Sequence, residues 1–472
     1  MIDAGGRPLD VHLTAIGGIG MVALAGLFRE LGHRVRGSDL DVYPPASDEL
    51  ARLGVPVARG YRAENLVPRP DLVVMGNAIT AVNPEAVAAR MQGIPTISLP
   101  EALEHFCLPG RMPLVVAGTH GKTTSTSFLA WTLRVAGRDP GYFIGGAPID
   151  LPRGYALGRG REFALEGDEY DSAYFDKGPK FLHYRPEAAI VTAVEFDHAD
   201  IYRDLAQVKE SFAKLLDILP PAAPLLVSAD FPHAVDVAEA SGRGYATFSD
   251  RSDAGATWAA VELADGPGGL RFAAVGPAET LAIESPLLGA MNARNLLGVI
   301  ALARALDVPR EAICEAAATF RGVKRRQEIV RQGAAVLIDD FAHHPTAIAA
   351  TLAAVRSRFP VARVWALFDP RSNTSRRRIF QDDIARSLAA ADRVVIGPVH
   401  DPEKVPAVER FSPDEAVRVV RERGRWALAA PDHAAVSAAV EEDLREGDVV
   451  VALTNGAFGG VVRRLADHPR FA

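Results

Sequence analysis

The stretch VVAGTHGKTTSTSF, Val115 to Phe128, decides how this 472-residue chain is read. β-favouring residues run into a turn carrying Gly118 and Gly121, Lys122 and Thr123 follow, and a helix-like run is closed by Gly137. A strand, a tight glycine turn and a helix N-terminus would gather several backbone N–H groups around one anion. The glycine pair spans only GTHGKT, shorter than a full G-x-x-x-x-G-K-[ST] loop. The physical parts are nonetheless present. Gly121 lets the backbone approach a phosphate, Lys122 brings positive charge to terminal phosphates, and Thr123 offers a hydroxyl to Mg²⁺. The bland alternative is a strand-to-helix turn with a surface lysine.

A chain of this length exceeds one ordinary core, so two to four domains are expected. Hydrophobic content of 48% with 24% charged residues fits a globular protein. A formal charge of -7 argues against nonspecific nucleic-acid binding, which needs a basic surface. Cys107 and Cys314 are too few and too far apart for a disulfide framework or a zinc motif. The opening MIDAGGRPLD lacks the pattern of a secretory signal, and no apolar run approaches a membrane span. A cytoplasmic location, with no membrane, no nucleic acid and no obligatory protein partner, is the expectation.

The chain begins VHLTAIGGIGM, an apolar strand stopping at Gly17 and Gly18. Met21, Leu24, Ala25, Phe28 and Leu31 recur at helical spacing, Gly32 ends the helix, and RVRGSD returns as a strand closed by Asp39. This is a βαβ unit, with Asp39 where a dinucleotide fold places its ribose-binding acid. G-x-G-x-x-G is absent, because Gly17, Gly18 and Gly20 have the wrong spacing. Residues 1–111 read as one small α/β domain, 112–326 as a central one, and 327–472 as a third with the same rhythm. Within the central domain a hairpin is expected over Trp258 to Val275, turning at Gly266 to Gly269, and a helix from Asn292 to Leu306. In the third, Pro345 is placed to start a helix.

Two strand ends carry chemistry. FALEGDEYDSAYF ends in Glu166, Asp168, Glu169 and Asp171, and AAIVTAVEFDHADIY in Glu195, Asp197 and His198. Hard divalent cations prefer such oxygen ligands, although a solvated acidic loop would look the same. Both tips belong at the carboxyl edge of a parallel sheet, where open α/β folds bind ligands.

Together, GTHGKTT, LEGDEYDSAYF, VEFDHADIY, LLGAMNARNLLGVIA, GVKRRQE and DDFAHHPT resemble the Mur ligase family almost end to end. The resemblance implies a Rossmann-like first domain, a P-loop-type central ATPase domain and a Rossmann-like last domain, with ATP and Mg²⁺. It implies that Gly118, Thr119, His120, Gly121, Lys122, Thr123 and Thr124 hold the ATP phosphates, and that Thr123, Glu166 and His198 serve metal. It further implies that Asn292 and Asn295 read adenine, that Arg326, Asp340, His343 and His344 line the nucleotide site, and that Gly17, Gly18, Ile19, Gly20 and Asp39 receive a UDP-sugar. DVYPPAS and DPRSNTSRR are most similar to the branch that rejoins a salvaged murein tripeptide, L-alanyl-γ-D-glutamyl-meso-diaminopimelate, to UDP-N-acetylmuramate. Arg371, Ser372, Asn373 and Thr374 follow a last-domain strand, where a guanidinium suits contact to the peptide carboxylates, and an ordinary strand-to-helix loop with Thr374 near a helix cap is the equal alternative. Catalysis would fall to Lys122, Glu166 and His198 through an acyl phosphate, with domain closure excluding water. GGIGM is closer to the branch that adds free L-alanine. That acceptor, and a non-catalytic sensor of UDP-muramyl precursors, stand as alternatives. Lys209 and Lys214 follow His198 without a clear register for a metal-supporting role.

Overall fold

The computed structural model describes residues 7–471. These form two compact units, one comprising the chain up to Val194 with Ala206–Thr247 and Gly298–Ala316, the other Glu195–Leu205, Phe248–Leu297 and Ala317 onward.

The first unit holds two sheets. The N-terminal one is all parallel, in the order Val57–Arg59, Arg34–Asp39, Asp10–Thr14, Leu72–Met75, Thr96–Ser98. Asp10–Thr14 is central, which explains why every residue after Asp10 is buried, His12 and Thr14 included. The helix Ile19–Glu30 follows it through the glycine turn, and Gly32 at φ 85 ends it as expected. The second sheet has Met112–Ala117 between Ala188–Val191 and Glu162–Gly167, all parallel, and Leu225–Ser228 and Gly141–Phe143 extend it on either side. Val115↔Leu165 and Ala117↔Gly167 register brings the acidic strand end beside the start of the glycine turn.

The second unit carries an antiparallel meander and a six-stranded sheet. The hairpin Trp258–Gly266 and Gly269–Val275 is present, with Gly266 opposite Gly269. Of the turn glycines only Gly269 has positive φ, 95. A third strand, Thr280–Ser285, pairs with the hairpin and has no counterpart in the sequence reading. The six-stranded order is Glu328–Gln332, Val336–Asp340, Val449–Leu453, Val364–Phe368, Arg393–Ile396, Trp426–Ala429, parallel apart from the first pair. Pro345 opens the helix Pro345–Arg358, where its missing N–H costs nothing.

Within the first unit, Gly26 on the first helix lies under the Tyr155 ring, and a Cβ there would come to 2.1 Å from it. The Tyr155 hydroxyl donates to Glu49 at 2.5 Å, and Glu49 is also held by Arg52 at 2.6 and 2.7 Å. This seat fixes the helix after the glycine turn against the central sheet's edge. Gly26→Ala is expected to lower unfolding stability by about 1–3 kcal/mol through overpacking. Much of that loss should be recovered in Gly26→Ala/Tyr155→Ala by chemical denaturation, whereas simple additivity would show that the two do not share this contact.

Candidate active site

In the first unit the loop closes around its own lysine. Gly118 has φ 142, and a Cβ there would sit 2.1 Å from Thr192 Oγ1, so only glycine fits. Gly121, at φ 81, starts the helix Lys122–Val135. Thr119 N–H donates to Ala193 O at 2.9 Å, and the Thr192 hydroxyl donates to the His120 carbonyl at 2.5 Å, which fixes the turn to the neighbouring strand end. Thr124 is buried behind it.

Lys122 is 9% exposed. Its Nζ donates to Gly118 O at 2.7 Å and to Glu169 Oε2 at 2.8 Å. Burial acts to lower its pKa, but Glu169, Asp168 and Glu166 outweigh it and the net shift is upward, so the lysine is held as a cation. Thr123 Oγ1 donates to Glu166 Oε1 at 2.7 Å, and Gly145 N–H donates to Glu166 Oε2 at 2.7 Å. Burial, reinforced by Asp168, raises the Glu166 pKa against Lys122 and Thr123. A hydroxyl and a buried carboxylate under electrostatic stress form a hard-oxygen donor set, which fits Mg²⁺. The remaining acids have other partners. Asp168 pairs with Lys180 at 3.0 Å, and Asp171 with Lys177 at 2.8 Å. Lys209 and Lys214 are also paired, with Asp236 and Glu210.

The N-terminal glycine turn leaves Gly18 and Ile19 exposed and Gly17 and Gly20 half-buried. Asp39 lies against it, accepting from Gly17 N–H at 2.7 Å, from Leu40 N–H at 2.7 Å and from the Tyr61 hydroxyl at 3.3 Å. Beneath it sits Glu85, fully buried, accepting from His12, Thr14, Ser38 and Asn65 at 3.0, 2.8, 2.7 and 2.6 Å. Sequence reasoning missed Glu85, whose only local signal is its place after Asn83–Pro84 at a helix start.

In the second unit, His198 adopts φ 52, and its N–H donates to Asp197 Oδ1 at 2.7 Å. Thr374 donates to the same oxygen at 2.6 Å, Asn373 donates to Asp200 at 2.7 Å, and Ser372 bonds Ser375 at 2.8 Å. Ser372, Asn373 and Thr374 thus engage neighbouring protein groups, whereas Arg371 lies along Gly456. His344 caps its helix and reaches the Phe196 carbonyl at 3.2 Å, and Thr346 donates to Glu195 at 3.1 Å. Asp340 accepts from Gln327 and Ala342 N–H groups, both at 2.7 Å, and Arg326 stacks 4.2 Å over the Phe341 ring. Asn292 and Asn295 share one face of the helix Ala290–Ala305 and are linked at 3.2 Å.

A second cluster escaped the sequence reading. Val364–Phe368 and Val449–Leu453 are adjacent parallel strands whose following helices pack on opposite faces, Ile384 and Leu388 in one core and Val461 and Leu465 in the other. That is a topological switch point, the ligand crevice of open α/β sheets. Asp369 and Thr454 stand at the two strand ends, bonded at 2.8 Å. Asp369 Oδ1, His433 Nε2 and Asn455 Oδ1 are buried there without a hydrogen bond.

Three domain descriptions match in succession: "Mur ligase family, catalytic domain" over residues 10–109, "Mur ligase middle domain" over 116–303, and "Mur ligase, glutamate ligase domain" over 325–456. The chain belongs to the Mur ligase family. It is 36% identical to the UDP-N-acetylmuramate--L-alanyl-gamma-D-glutamyl-meso-2,6-diaminoheptandioate ligase of Escherichia coli, over 97% of this chain and 98% of that one. It is 35% identical to the UDP-N-acetylmuramate--L-alanine ligase of Bordetella avium, over 98% and 99%. A crystal structure of a murein peptide ligase from Psychrobacter arcticus superposes with a TM-score of 0.72 at 32% identity, covering 97% and 98% of the two chains. No helix among the described residues is long and apolar enough to cross a membrane.

His343 gives the site a pH signature. Burial pushes its pKa down, outweighing Asp197, whose own carboxyl is held well below the usual range despite burial by His343, His198 and His344. An unfolded histidine titrates near ~6.5, so below that pH the unfolded chain takes up the proton first and the stability contribution is lost as pH falls. His343→Gln should therefore flatten unfolding free energy against pH as pH falls below about 6.5, measured with denaturant. Comparison with the parent isolates this from Asp339, which burial pushes up to about 6 and whose contribution runs the other way. An unchanged slope would contradict it.

Proposed function

We propose that this Mur ligase joins L-alanyl-γ-D-glutamyl-meso-diaminopimelate to UDP-N-acetylmuramate at the expense of ATP, in the cytoplasm and as part of peptidoglycan recycling. The observation that carries the reading is the near end-to-end likeness to relatives named for that acceptor, at 36% and 32% identity. The loop supports the ATP half. Lys122 offers its charge to the terminal phosphates by exchanging Glu169 and the Gly118 carbonyl for phosphate oxygens, and Gly118 to Thr124 supply the cradle. Thr123 and Glu166, with His198 for a second position, would hold Mg²⁺, which screens phosphate charge. Asn295 reads the base, with Arg326, Asp340, His343 and His344 bordering the nucleotide. Gly17 to Gly20 take the UDP diphosphate at a helix start, where Asp39 competes for the Gly17 N–H.

The muramoyl carboxylate oxygen attacks the γ-phosphorus and ADP leaves. The acceptor amine then attacks the acyl carbon, loses a proton and expels phosphate carrying the original carboxylate oxygen. The switch-point crevice suits the acceptor, with Arg371 for a peptide carboxylate and Asp369 for an ammonium group.

With UDP-N-acetylmuramate labelled with ¹⁸O in its carboxylate, tripeptide-dependent ADP release should deliver one label to phosphate. L-alanine should not replace the tripeptide. Release with L-alanine alone would move the chain to the other branch, and no release with either would overturn the ligase reading. Arg371→Ala should raise the acceptor KM by on the order of tenfold or more with little change in the ATP KM, as loss of a charged hydrogen bond implies. Equal effects on both would refute the acceptor role of Arg371.

A further inference from the structure

The two asparagines on the helix Ala290–Ala305 differ in what their amides have left to offer. Asn292, 7% exposed, donates from Nδ2 to Leu288 O at 2.7 Å and to Gln327 Oε1 at 3.1 Å, and its Oδ1 accepts from Asn295 Nδ2 at 3.2 Å. Both amide protons of Asn292 are engaged inside the protein. Asn295 is only partly buried, and it keeps one N–H and its carbonyl oxygen outside these bonds. A carboxamide offering one donor and one acceptor matches the N7 and 6-amino edge of adenine.

Such an edge has a weakness, because rotating the amide by half a turn exchanges donor and acceptor. The orientation of Asn295 is set by Asn292 Oδ1, which needs a donor opposite it. The orientation of Asn292 is set in turn by two acceptors, the Leu288 carbonyl and Gln327 Oε1. Gln327 is 8% exposed and sits at φ 53, a conformation held by its backbone N–H donating to Asp340 at 2.7 Å. Asp340 thus holds the Gln327 backbone, and the side-chain relay runs from Gln327 Oε1 through Asn292 to Asn295, with Gln327 Nε2 buried and making no hydrogen bond.

We propose that Gln327 is a positioning residue for nucleobase recognition. Acting through Asn292, it fixes the Asn295 amide so that its oxygen meets the 6-amino group and its N–H meets N7. This rests on the reading that Asn295 contacts the base. Asn292 is on this account part of the support and not itself the reader.

The test is discrimination between ATP and ITP, whose 6-oxo group reverses the hydrogen-bond demand at that edge. Gln327→Met keeps length and removes the acceptor. It should lower the ATP-to-ITP ratio of kcat/KM by on the order of tenfold, the worth of about one hydrogen bond. The KM for UDP-N-acetylmuramate should stay unchanged, which general loosening of the fold would not leave intact. Gln327→Glu, which retains the acceptor oxygen, should keep most of the ratio. An unchanged ratio in Gln327→Met overturns the inference. If that variant does not fold, Asn292→Ala must shift the same ratio, and failure to do so overturns it equally. Asn295→Ala separates the two levels. If it too leaves the ratio unchanged, the base-reading role of Asn295 is wrong. If Asn295→Ala shifts the ratio and Gln327→Met does not, only the role of Gln327 fails.

Discussion

A lysine ammonium buried at a strand end survives only with partners, and the contact between Lys122 and Glu169 is what the active-site loop depends on. Removing a charge from water costs several kcal/mol unless it is paired and hydrogen-bonded. Here Nζ has a carboxylate at 2.8 Å and a carbonyl at 2.7 Å. The pair therefore keeps a cation ready against the Gly118 carbonyl of the loop. The same neighbourhood concentrates Glu166, Asp168 and Glu169, and their mutual repulsion favours further positive charge. Lys180 meets part of that need at Asp168. The hydroxyl and carboxylate of Thr123 and Glu166 provide hard-oxygen ligands for more.

Within each unit, several elements are placed by demands that glycine or a buried polar group satisfies. Gly118 permits an approach to Thr192 that no side chain would allow. Gly26 admits the Tyr155 ring. Glu85 gathers donors from two strands and the segment after them below the N-terminal turn. In the second unit the loop after Val364–Phe368 is held through Asp197 and Asp200, leaving Arg371 as the member of its motif without a side-chain partner of that kind.

The features most legible in the sequence were local ones. Gly118, Gly121, Lys122 and Thr123 announce a strand, a turn and a helix because their meaning lies in adjacent residues. The first βαβ unit was readable for the same reason, ending at Gly32 and Asp39. What could not be read depends on distant pairing. Nothing in GDEYD distinguishes Glu169, which meets a lysine 47 positions earlier, from Asp168 and Asp171, which meet lysines further along. Thr374 and Asn373 look like open polar loop residues until Asp197 and Asp200, more than 170 positions away, are brought beside them. The strand Thr280–Ser285 was overlooked although its burial alternates along its length. The switch-point cluster needed strand order, because Asp369 and Thr454 become neighbours only when Val449–Leu453 inserts beside Val364–Phe368.

The central claim is that Lys122 is the charge that meets the ATP phosphates, held in readiness by Glu169. Calorimetric titration of MgATP into Lys122→Met/Glu169→Gln tests it most directly, since the double change removes the lysine without stranding a buried carboxylate. The account predicts an affinity loss of roughly 10- to 100-fold, the range for charged hydrogen bonds, with the unfolding transition preserved. MgATP binding as tight as in the parent would contradict it.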